Sequence, residues 1–331
     1  MRLIPIFALL VLLLSLPLPV LAQSATPEVA AAVPESGDFA GLVDIGGRKL
    51  YLECHGTGSP TVVLVAGGGS SARYWTDDLH SSDDPRQMVM PGVAKATRVC
   101  AYDRPGTYAE IDEEIVPSRS DAIAQPRTVS EMVEELHALL QAAEIPDPYI
   151  LVGHSMGGFM ARLYAATYPD EVAGMVLIDA YSELLEDVMP PERWQALVRL
   201  NKEMGSGVVH PIPGYGDAET TSYGAGNAVV REAVAATPLP PMPLAVLAHG
   251  KPFPVPEGAQ GFTTKELEGF LLAANEAQAA LVPNARLWMA TESGHDIHQD
   301  QPELVIEAVQ QVLEGVRSPD TWYSLASCCT D

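Results

Sequence analysis

The sequence predicts an α/β fold, a mostly parallel sheet flanked by helices, and two observations support this prediction. Short runs of β-branched and apolar residues recur along the chain, and stretches with a helical period separate them. The chain is also long enough for a large core, since it has 331 residues, of which 47% are hydrophobic and 19% are charged. This composition excludes a disordered chain and a coiled coil.

The charge balance is strongly acidic. The chain carries 19 Lys and Arg against 43 Asp and Glu, which gives a formal net charge of −24. Such a surface repels phosphate backbones and anionic lipid headgroups. We therefore expect no nucleic-acid partner.

The amino terminus has the pattern of a secretory signal peptide. Arg2 precedes an apolar run over residues 3–21, and Ala22 follows at the position that a signal peptidase reads. A transmembrane anchor is the alternative, but three prolines interrupt the run and no basic stop follows it. We expect residues 1–22 to be removed, residues 23–40 to form a polar linker, and the mature protein to be secreted or periplasmic with no stable membrane anchor.

Eight strands are predicted, and the first two form a hairpin over residues 42–45 and 48–54 with the tight turn Gly46-Gly47. The other six are short apolar runs, as expected of strands buried on both faces. These runs are residues 61–65, 99–103, 149–153, 175–179, 244–248 and 286–290.

Helices are predicted between the strands. Thr128 and Glu131 have the spacing of a capping box, and apolar residues follow them at helical intervals. Another helix is predicted over residues 158–168. A third covers residues 303–316 and is preceded by Pro302. Proline is tolerated at the start of a helix, because the N–H that it lacks would have no partner within the helix.

The strongest functional motif is Gly-His-Ser-Met-Gly at residues 153–157. It lies between a predicted buried strand and a predicted helix, which is the setting of a nucleophile elbow. Glycines flank the serine because the turn is too sharp to accommodate a neighbouring Cβ. The pattern can arise by chance in a chain rich in glycine, but this setting favours Ser155 as a nucleophile.

A nucleophilic serine needs donors for the oxyanion that forms on its substrate. One donor is expected from the backbone N–H of Met156, directly after the serine, and the other from the loop over residues 66–71. In that loop we assign the second donor to the backbone N–H of Gly68. A phosphate-binding loop or a plain turn is the alternative, but the Gly-x-Gly-x-x-Gly spacing is missing. We expect no cofactor.

The general base is predicted from its position after the last strand. His295 follows that strand, and His298 is the second choice. The two histidines also suggest a metal site, but two ligands in a loop without a nearby Cys or third His make a poor zinc site. We expect no metal.

These motifs resemble the α/β-hydrolase fold serine hydrolases, and the esterase-like members in particular. The resemblance covers about residues 41–317 and includes the elbow, Tyr-Asp-Arg-Pro-Gly at residues 102–106 and Ser-Gly-His at residues 293–295. It implies the strand order 1-2-4-3-5-6-7-8, with strand 2 antiparallel to its neighbours. Strands 2 and 4 would then be adjacent, which implies a disulfide between Cys54 and Cys100.

The third catalytic residue of this family is an acid that orients the histidine base. At this residue the sequence departs from the commonest family pattern. Most members carry it just after strand 7, where this chain offers only Glu257. A second family arrangement places the acid at the end of strand 6, where Asp179 is found. Because the acid must be largely buried, we favour Asp179 and keep Glu257 as the alternative.

Residues 181–242 interrupt the alternation of strands and helices and are predicted to form a lid between strands 6 and 7. Five of its apolar side chains are candidates for an acyl pocket or for ordinary packing: Met189, Trp194, Leu197, Val198 and Leu200. The lid divides the core into residues 41–180 and 243–317. Residues 318–331 form a tail that contains Cys328 and Cys329, whose role stays open.

The expected function is that of a secreted serine carboxylesterase. Ser155, His295 and Asp179 would act on small or medium acyl esters through an acyl-enzyme. A peptidase, a lactonase or a perhydrolase would use the same triad. A ligand-binding module without catalysis is the alternative from another class, and the oligomeric state stays open.

Overall fold

The computed structural model describes residues 33–34, 37–80, 86–203, 207–253 and 262–325. The predicted signal peptide, Glu257, Cys328 and Cys329 lie outside the described residues.

Strands account for much of the core. In the described ranges they are β1 (Phe39–Asp44), β2 (Lys49–His55), β3 (Thr61–Val65), β4 (Val99–Tyr102), β5 (Tyr108–Ile111), β6 (Glu114–Pro117), β7 (Tyr149–His154), β8 (Val172–Ile178), β9 (Pro211–Ile212), β10 (Gly216–Asp217), β11 (Leu244–His249) and β12 (Arg286–Ala290).

Helices connect most of these strands. They are α1 (Arg73–Thr76), α2 (Val89–Val93), α3 (Val129–Ala142), α4 (Met156–Thr167), α5 (Leu184–Val188), α6 (Pro191–Glu203), α7 (Tyr223–Ala236), α8 (Thr264–Ala279), α9 (Ile297–Asp300), α10 (Pro302–Arg317) and α11 (Pro319–Leu325). A 3₁₀ turn, Pro169–Glu171, joins α4 to β8. Among the residues described, no helix is both long and apolar enough to span a membrane.

Eight strands form one sheet in the order β1-β2-β4-β3-β7-β8-β11-β12. β2 is antiparallel to β1 and to β4, and the remaining neighbours are parallel. This is the order that the family resemblance implies, so the predicted fold class is confirmed. β2 and β4 lie in register at Cys54 and Cys100, and a disulfide joins the two residues.

The central strands of the sheet are mostly apolar, and their side chains are buried on both faces. In β3, Val63 and Val65 belong to the apolar cluster that includes α3 and α4, whereas Val62 and Leu64 belong to the cluster that includes α2 and α10. Successive side chains of a strand point to opposite faces, so one five-residue strand contributes to both clusters.

The predicted elements differ from the structure at their ends, and several helices were not predicted. Among these are α8 and, within the predicted tail, α11, whose Trp322 is buried. The capping box of α3 is present, with Thr128 and Glu131 bonded reciprocally. α4 begins at Met156, directly after the serine, two residues earlier than the prediction. The hairpin of β5 and β6 was not predicted, because its strands are four residues long and only one of their residues, Ala109, is buried.

The parallel register brings the carboxyl ends of the central strands to one edge. His154, the last residue of β7, pairs with Ile178 at the end of β8, and Ile178 pairs with Leu247 in β11. Residues that directly follow these strands therefore meet there, as is usual for ligand sites in open α/β sheets.

Candidate active site

Ser155 lies in a strained turn between β7 and α4. Its φ is 50° and its ψ is −120°, a conformation that residues other than glycine rarely adopt. The turn is held from both sides, because Ser155 N–H donates to Ile178 O at 3.0 Å and Tyr181 N–H donates to Ser155 O at 3.1 Å. The serine remains partly exposed, whereas both its neighbours are buried.

The glycines of the elbow are required by close backbone contacts. A Cβ on Gly157 would lie 2.0 Å from the carbonyl oxygen of Val65, and a Cβ on Gly153 would lie 2.4 Å from the carbonyl oxygen of Gly157. The elbow is therefore packed directly against β3, the strand that leads into the glycine loop.

Asp179 follows β8 as Ser155 follows β7, and it also has a positive φ, 41°. Its N–H donates to Leu247 O at 2.7 Å, and its side chain is only 7% exposed. The Nδ1 of His295, which comes from the loop after β12, lies 2.5 Å from Asp179 Oδ2. The structure thus brings together the two residues that we predicted as acid and base, although 116 positions separate them.

A second histidine binds the same carboxylate. The Nδ1 of His249, the last residue of β11, lies 2.7 Å from Asp179 Oδ1, and its Nε2 lies 3.0 Å from Glu268 Oε2 on α8. Glu268 also accepts a hydrogen bond from Phe253 N–H at 2.6 Å. Sequence reasoning missed His249 and Glu268. The one available signal was that His249 directly follows a buried apolar run.

The charges of this cluster reinforce one another. Burial raises the pKa of Asp179, but the hydrogen bonds from His249 and His295 outweigh it and hold that pKa well below its usual range. Burial lowers the pKa of His249, but the bonds and charges of Asp179 and Glu268 outweigh it and raise that pKa to about 9. The acid is therefore ionised at neutral pH, and His249 is protonated.

The glycine loop lies over the elbow with two candidate donors. Within the described part of the chain, the N–H groups of Gly68 and Met156 donate no hydrogen bond. A Cβ on Gly68 would lie 3.7 Å from the sulfur of Met156 and 3.2 Å from the hydroxyl of Tyr223. The two residues whose N–H groups we predicted as oxyanion donors are thus neighbours, and Tyr223 of α7 lies beside Gly68.

A buried ion pair holds this loop in place. Arg104 donates from Nη1 to Ala66 O at 2.9 Å and from Nη2 to Gly67 O at 2.5 Å. Its Nε lies 2.6 Å from Glu219 Oε1, and Glu219 Oε2 accepts from Gly69 N–H at 2.9 Å. Neither side chain of the pair is more than 1% exposed. In the sequence, Arg104 belongs to the motif at residues 102–106 that carries the family resemblance, but nothing marked Glu219 as its partner.

Three histidine rings pack beside the elbow. The ring of His154 lies 4.6 Å from that of His295 and 4.3 Å from that of His298. Burial and the charge of His295 lower the pKa of His154 to about 4, and burial also places the pKa of His298 well below its ordinary value. His154 and His298 are therefore neutral packing groups at pH 7.

Among the described residues, His154, Asp296 and His298 lie close enough together to hold a metal ion. However, the Nε2 of His154 is 3.0 Å from the carbonyl oxygen of His295, and the two histidine rings pack against each other. A metal ion needs imidazole lone pairs that converge on one point. This arrangement favours ring packing.

The apolar residues predicted for an acyl pocket pack mostly within residues 181–242 and against α8. Met189, Leu197 and Leu200 share an apolar cluster with Leu267 and Ala274 of α8, and Trp194 packs at its edge. Val198 is 46% exposed. Packing, which was the alternative, accounts for Met189, Leu197 and Leu200.

Comparison with known proteins supports the family and the fold of this chain. Residues 62–308 match the Alpha/beta hydrolase family. The uncharacterized protein YqjL of Bacillus subtilis strain 168 is 26% identical over 263 residues, which cover 78% of this chain and 85% of that protein. Two other curated relatives, 30% and 34% identical, match only locally, and the chain spans 21% and 26% of their lengths.

Solved structures have the same fold. A thermophilic esterase from Thermogutta terrifontis is 20% identical with a TM-score of 0.51, and the match covers 84% of this chain and 99% of that chain. The haloalkane dehalogenase DatA from Agrobacterium tumefaciens C58 is 16% identical with a TM-score of 0.56, over 85% of this chain and 97% of that chain. At these identities the likeness shows the fold alone. The family match covers well over half of this chain, and the strand order is the one that the family resemblance implies. The chain therefore belongs to the alpha/beta hydrolase family.

Proposed function

We propose that this hydrolase cleaves carboxylic esters through an acyl-enzyme on Ser155. The observation that carries the proposal is the hydrogen bond between His295 and the buried Asp179, at the edge where the strained elbow exposes Ser155. Strained backbone costs stability and persists at functional sites where the surrounding structure imposes it. A ligand-binding module has no need for this combination.

The chemistry follows from the roles of the three side chains. His295 takes the proton of the Ser155 hydroxyl as the serine oxygen attacks the ester carbonyl, and Asp179 stabilises the resulting imidazolium. The N–H groups of Gly68 and Met156 hold the oxyanion, each contributing on the order of 3 kcal/mol to the stability of the transition state. The imidazolium then gives its proton to the leaving alkoxide, which departs as the alcohol.

Release of the acyl group repeats these steps with water. His295 takes a proton from a water molecule as that water attacks the acyl-enzyme, and the proton returns to the serine oxygen as the acid leaves. The net reaction adds one water across the ester bond and needs no cofactor.

Residues 181–242 act as the lid in this proposal. Tyr223 on α7 and Glu219 before it both reach the glycine loop, so the segment borders the position of the substrate carbonyl. Small or medium acyl esters suit the proposed site, because much of the apolar surface of the lid is used in packing against α8.

Secretion is also part of the proposal. The sequence pattern of residues 1–22 and the disulfide between Cys54 and Cys100 support it, since structural disulfides persist in oxidising compartments. Mass spectrometry of the mature amino terminus tests it, and an intact residue 1 on the exported protein would contradict cleavage.

The decisive test of the function is labelling with a fluorophosphonate, together with a panel of nitrophenyl esters and aminopeptide substrates. We expect labelling at Ser155, hydrolysis of esters of short and medium acyl length, and loss of both in Ser155→Ala with an unchanged melting temperature. Faster turnover of the aminopeptides would favour a peptidase. A wild-type protein that is neither labelled nor active would favour the ligand-binding module.

A further inference from the structure

Asp179 is shared by two histidines, and the proposed mechanism uses only one of them. His295 binds Oδ2 of the carboxylate, and His249 binds Oδ1 at 2.7 Å. The side chain of His249 is only 3% exposed, so it is almost completely shielded from solvent. Its contacts indicate another task.

Both ring nitrogens of His249 face carboxylate oxygens. Nδ1 lies against Asp179, and Nε2 lies 3.0 Å from Glu268 Oε2. An ionised carboxylate only accepts hydrogen bonds, so each ring nitrogen must donate, and His249 is an imidazolium. It has no free lone pair and cannot replace His295 as the base.

We propose that His249, held by Glu268, is a positioning residue for Asp179. This inference rests on the proposed function, because it concerns the acid of the same site. A carboxylate with one bonded oxygen can rotate and lose its alignment. With Oδ1 fixed by His249, Oδ2 is directed at Nδ1 of His295, which keeps that imidazole in the tautomer that can take the serine proton.

The same contacts give the cluster alternating charges. Among the described residues, two charged groups face His249: Asp179 after β8 and Glu268 on α8. His295 lies on the far side of Asp179. From the loop that follows His249 itself, the group nearby is the uncharged ring of Phe253. When His295 takes the serine proton, the order from Glu268 to His295 is negative, positive, negative, positive. Opposite charges are then adjacent at every step. The neighbouring Asp179 stabilises the imidazolium of His295, and the more distant positive charge of His249 partly opposes that effect.

The proposal predicts opposite effects of the two neutral substitutions. His249→Asn keeps a donor for Asp179 but removes a positive charge, so His295 holds its proton to higher pH. The acid limb of kcat/KM should move up by roughly 0.5 to 1 pH unit. The value of kcat should fall by about tenfold while KM changes by less than about twofold, since the contact serves chemistry and not binding. Glu268→Gln removes a negative charge and should move the limb down.

The double variant His249→Asn with Glu268→Gln tests whether charge is the cause. It restores the total charge of the cluster, so the acid limb should return toward its wild-type position. Damage to the fold would instead add up in the double variant. His137→Asn is the matched control for loss of a histidine and carboxylate pair, since His137 lies 3.1 Å from Glu171. Glu276→Gln removes an exposed carboxylate from the same helix, α8.

A measurement without substrate completes the test. In Ser155→Ala, ¹⁵N NMR of the histidine rings should show both nitrogens of His249 protonated at pH 7. A neutral His249, or variants whose profiles coincide with wild type and the controls, overturns the inference while leaving the proposed function intact. If the wild type is not acylated at Ser155, the proposed function fails, and the positioning role fails with it. If His249→Asn does not fold, Glu268→Gln and the NMR measurement decide.

Discussion

Glu219 binds Arg104 beneath the glycine loop, and the two side chains are almost completely buried. Glu219 belongs to residues 181–242, and Arg104 follows β4, so their contact joins the proposed lid to the loop that carries Gly68. Glu219 also accepts a hydrogen bond from Gly69 N–H, and Arg104 donates hydrogen bonds to the carbonyl oxygens of Ala66 and Gly67. The position of Gly68, the proposed oxyanion donor, therefore depends on a residue of the proposed lid.

Glu219→Gln should lower both stability and activity. The amide would place a donor against Arg104 and leave a buried charge without its partner, which costs about 3–5 kcal/mol. The melting temperature should fall by about 5 °C or more, and kcat should fall because Gly68 is held less firmly. Thermal unfolding and ester kinetics measure the two effects. Glu232→Gln, on the exposed side of α7, is the control, and a Glu219→Gln variant that matches it would contradict this role.

Asp179→Asn should abolish most of the activity. Its amide has one acceptor for two donating imidazoles, so His295 loses its orientation and its charge stabilisation, and kcat should fall by about 10³-fold or more. Glu257→Gln tests the alternative acid and should retain kcat near the wild-type value. The assignment is wrong if the two variants exchange these results.

Gly157→Ala should destabilise the protein by several kcal/mol. A Cβ at this position would lie 2.0 Å from the carbonyl oxygen of Val65, which is backbone and cannot move aside. Gly269→Ala is the matched control, because a Cβ there meets no atom within 4 Å and alanine favours the helix by up to about 1 kcal/mol. Urea unfolding of both variants measures the difference, and equal stabilities would refute the proposed packing.

On the alkaline side, stability should fall as pH rises from about 6.5 to about 9. His249 has a folded-state pKa of about 9 against an ordinary value of 6.5, so its contribution is complete below 6.5 and is lost as the folded imidazolium deprotonates. The free energy of unfolding should change by at most about 1.4 kcal/mol per pH unit. Urea unfolding of wild type and His249→Asn isolates this group, and parallel curves would exclude it.

On the acid side, stability should fall as pH drops below about 6.5. Burial lowers the pKa of His154 to about 4 and holds that of His298 well below 6.5, so the unfolded chain binds protons that the folded protein does not. His298→Phe should reduce the slope between pH 6.5 and 4. An unchanged slope in that variant would mean that the pKa of His298 is the same in the folded and the unfolded protein.

The sequence alone was sufficient for the features that depend on neighbouring residues. The elbow around Ser155, the capping box of α3 and the apolar strands are local patterns, and each follows from steric fit or hydrogen bonding within a few positions. The family resemblance supplied the strand order and hence the pairing of Cys54 with Cys100. The preference for Asp179 over Glu257 rested on one further physical argument, the burial of the acid, and it stays a prediction.

Only the tertiary structure revealed the contacts that surround these residues. His249 meets Asp179 across 70 positions, and Arg104 meets Glu219 across 115. No local pattern marks such pairs, because a histidine at the end of a strand and a glutamate within an insertion have many other common uses. Their partners are chosen by the register of β8 and β11 and by the path of the lid. The sequence therefore pointed to the candidate reacting groups, which stay a prediction, and the packing of distant segments decided which charged side chains surround them.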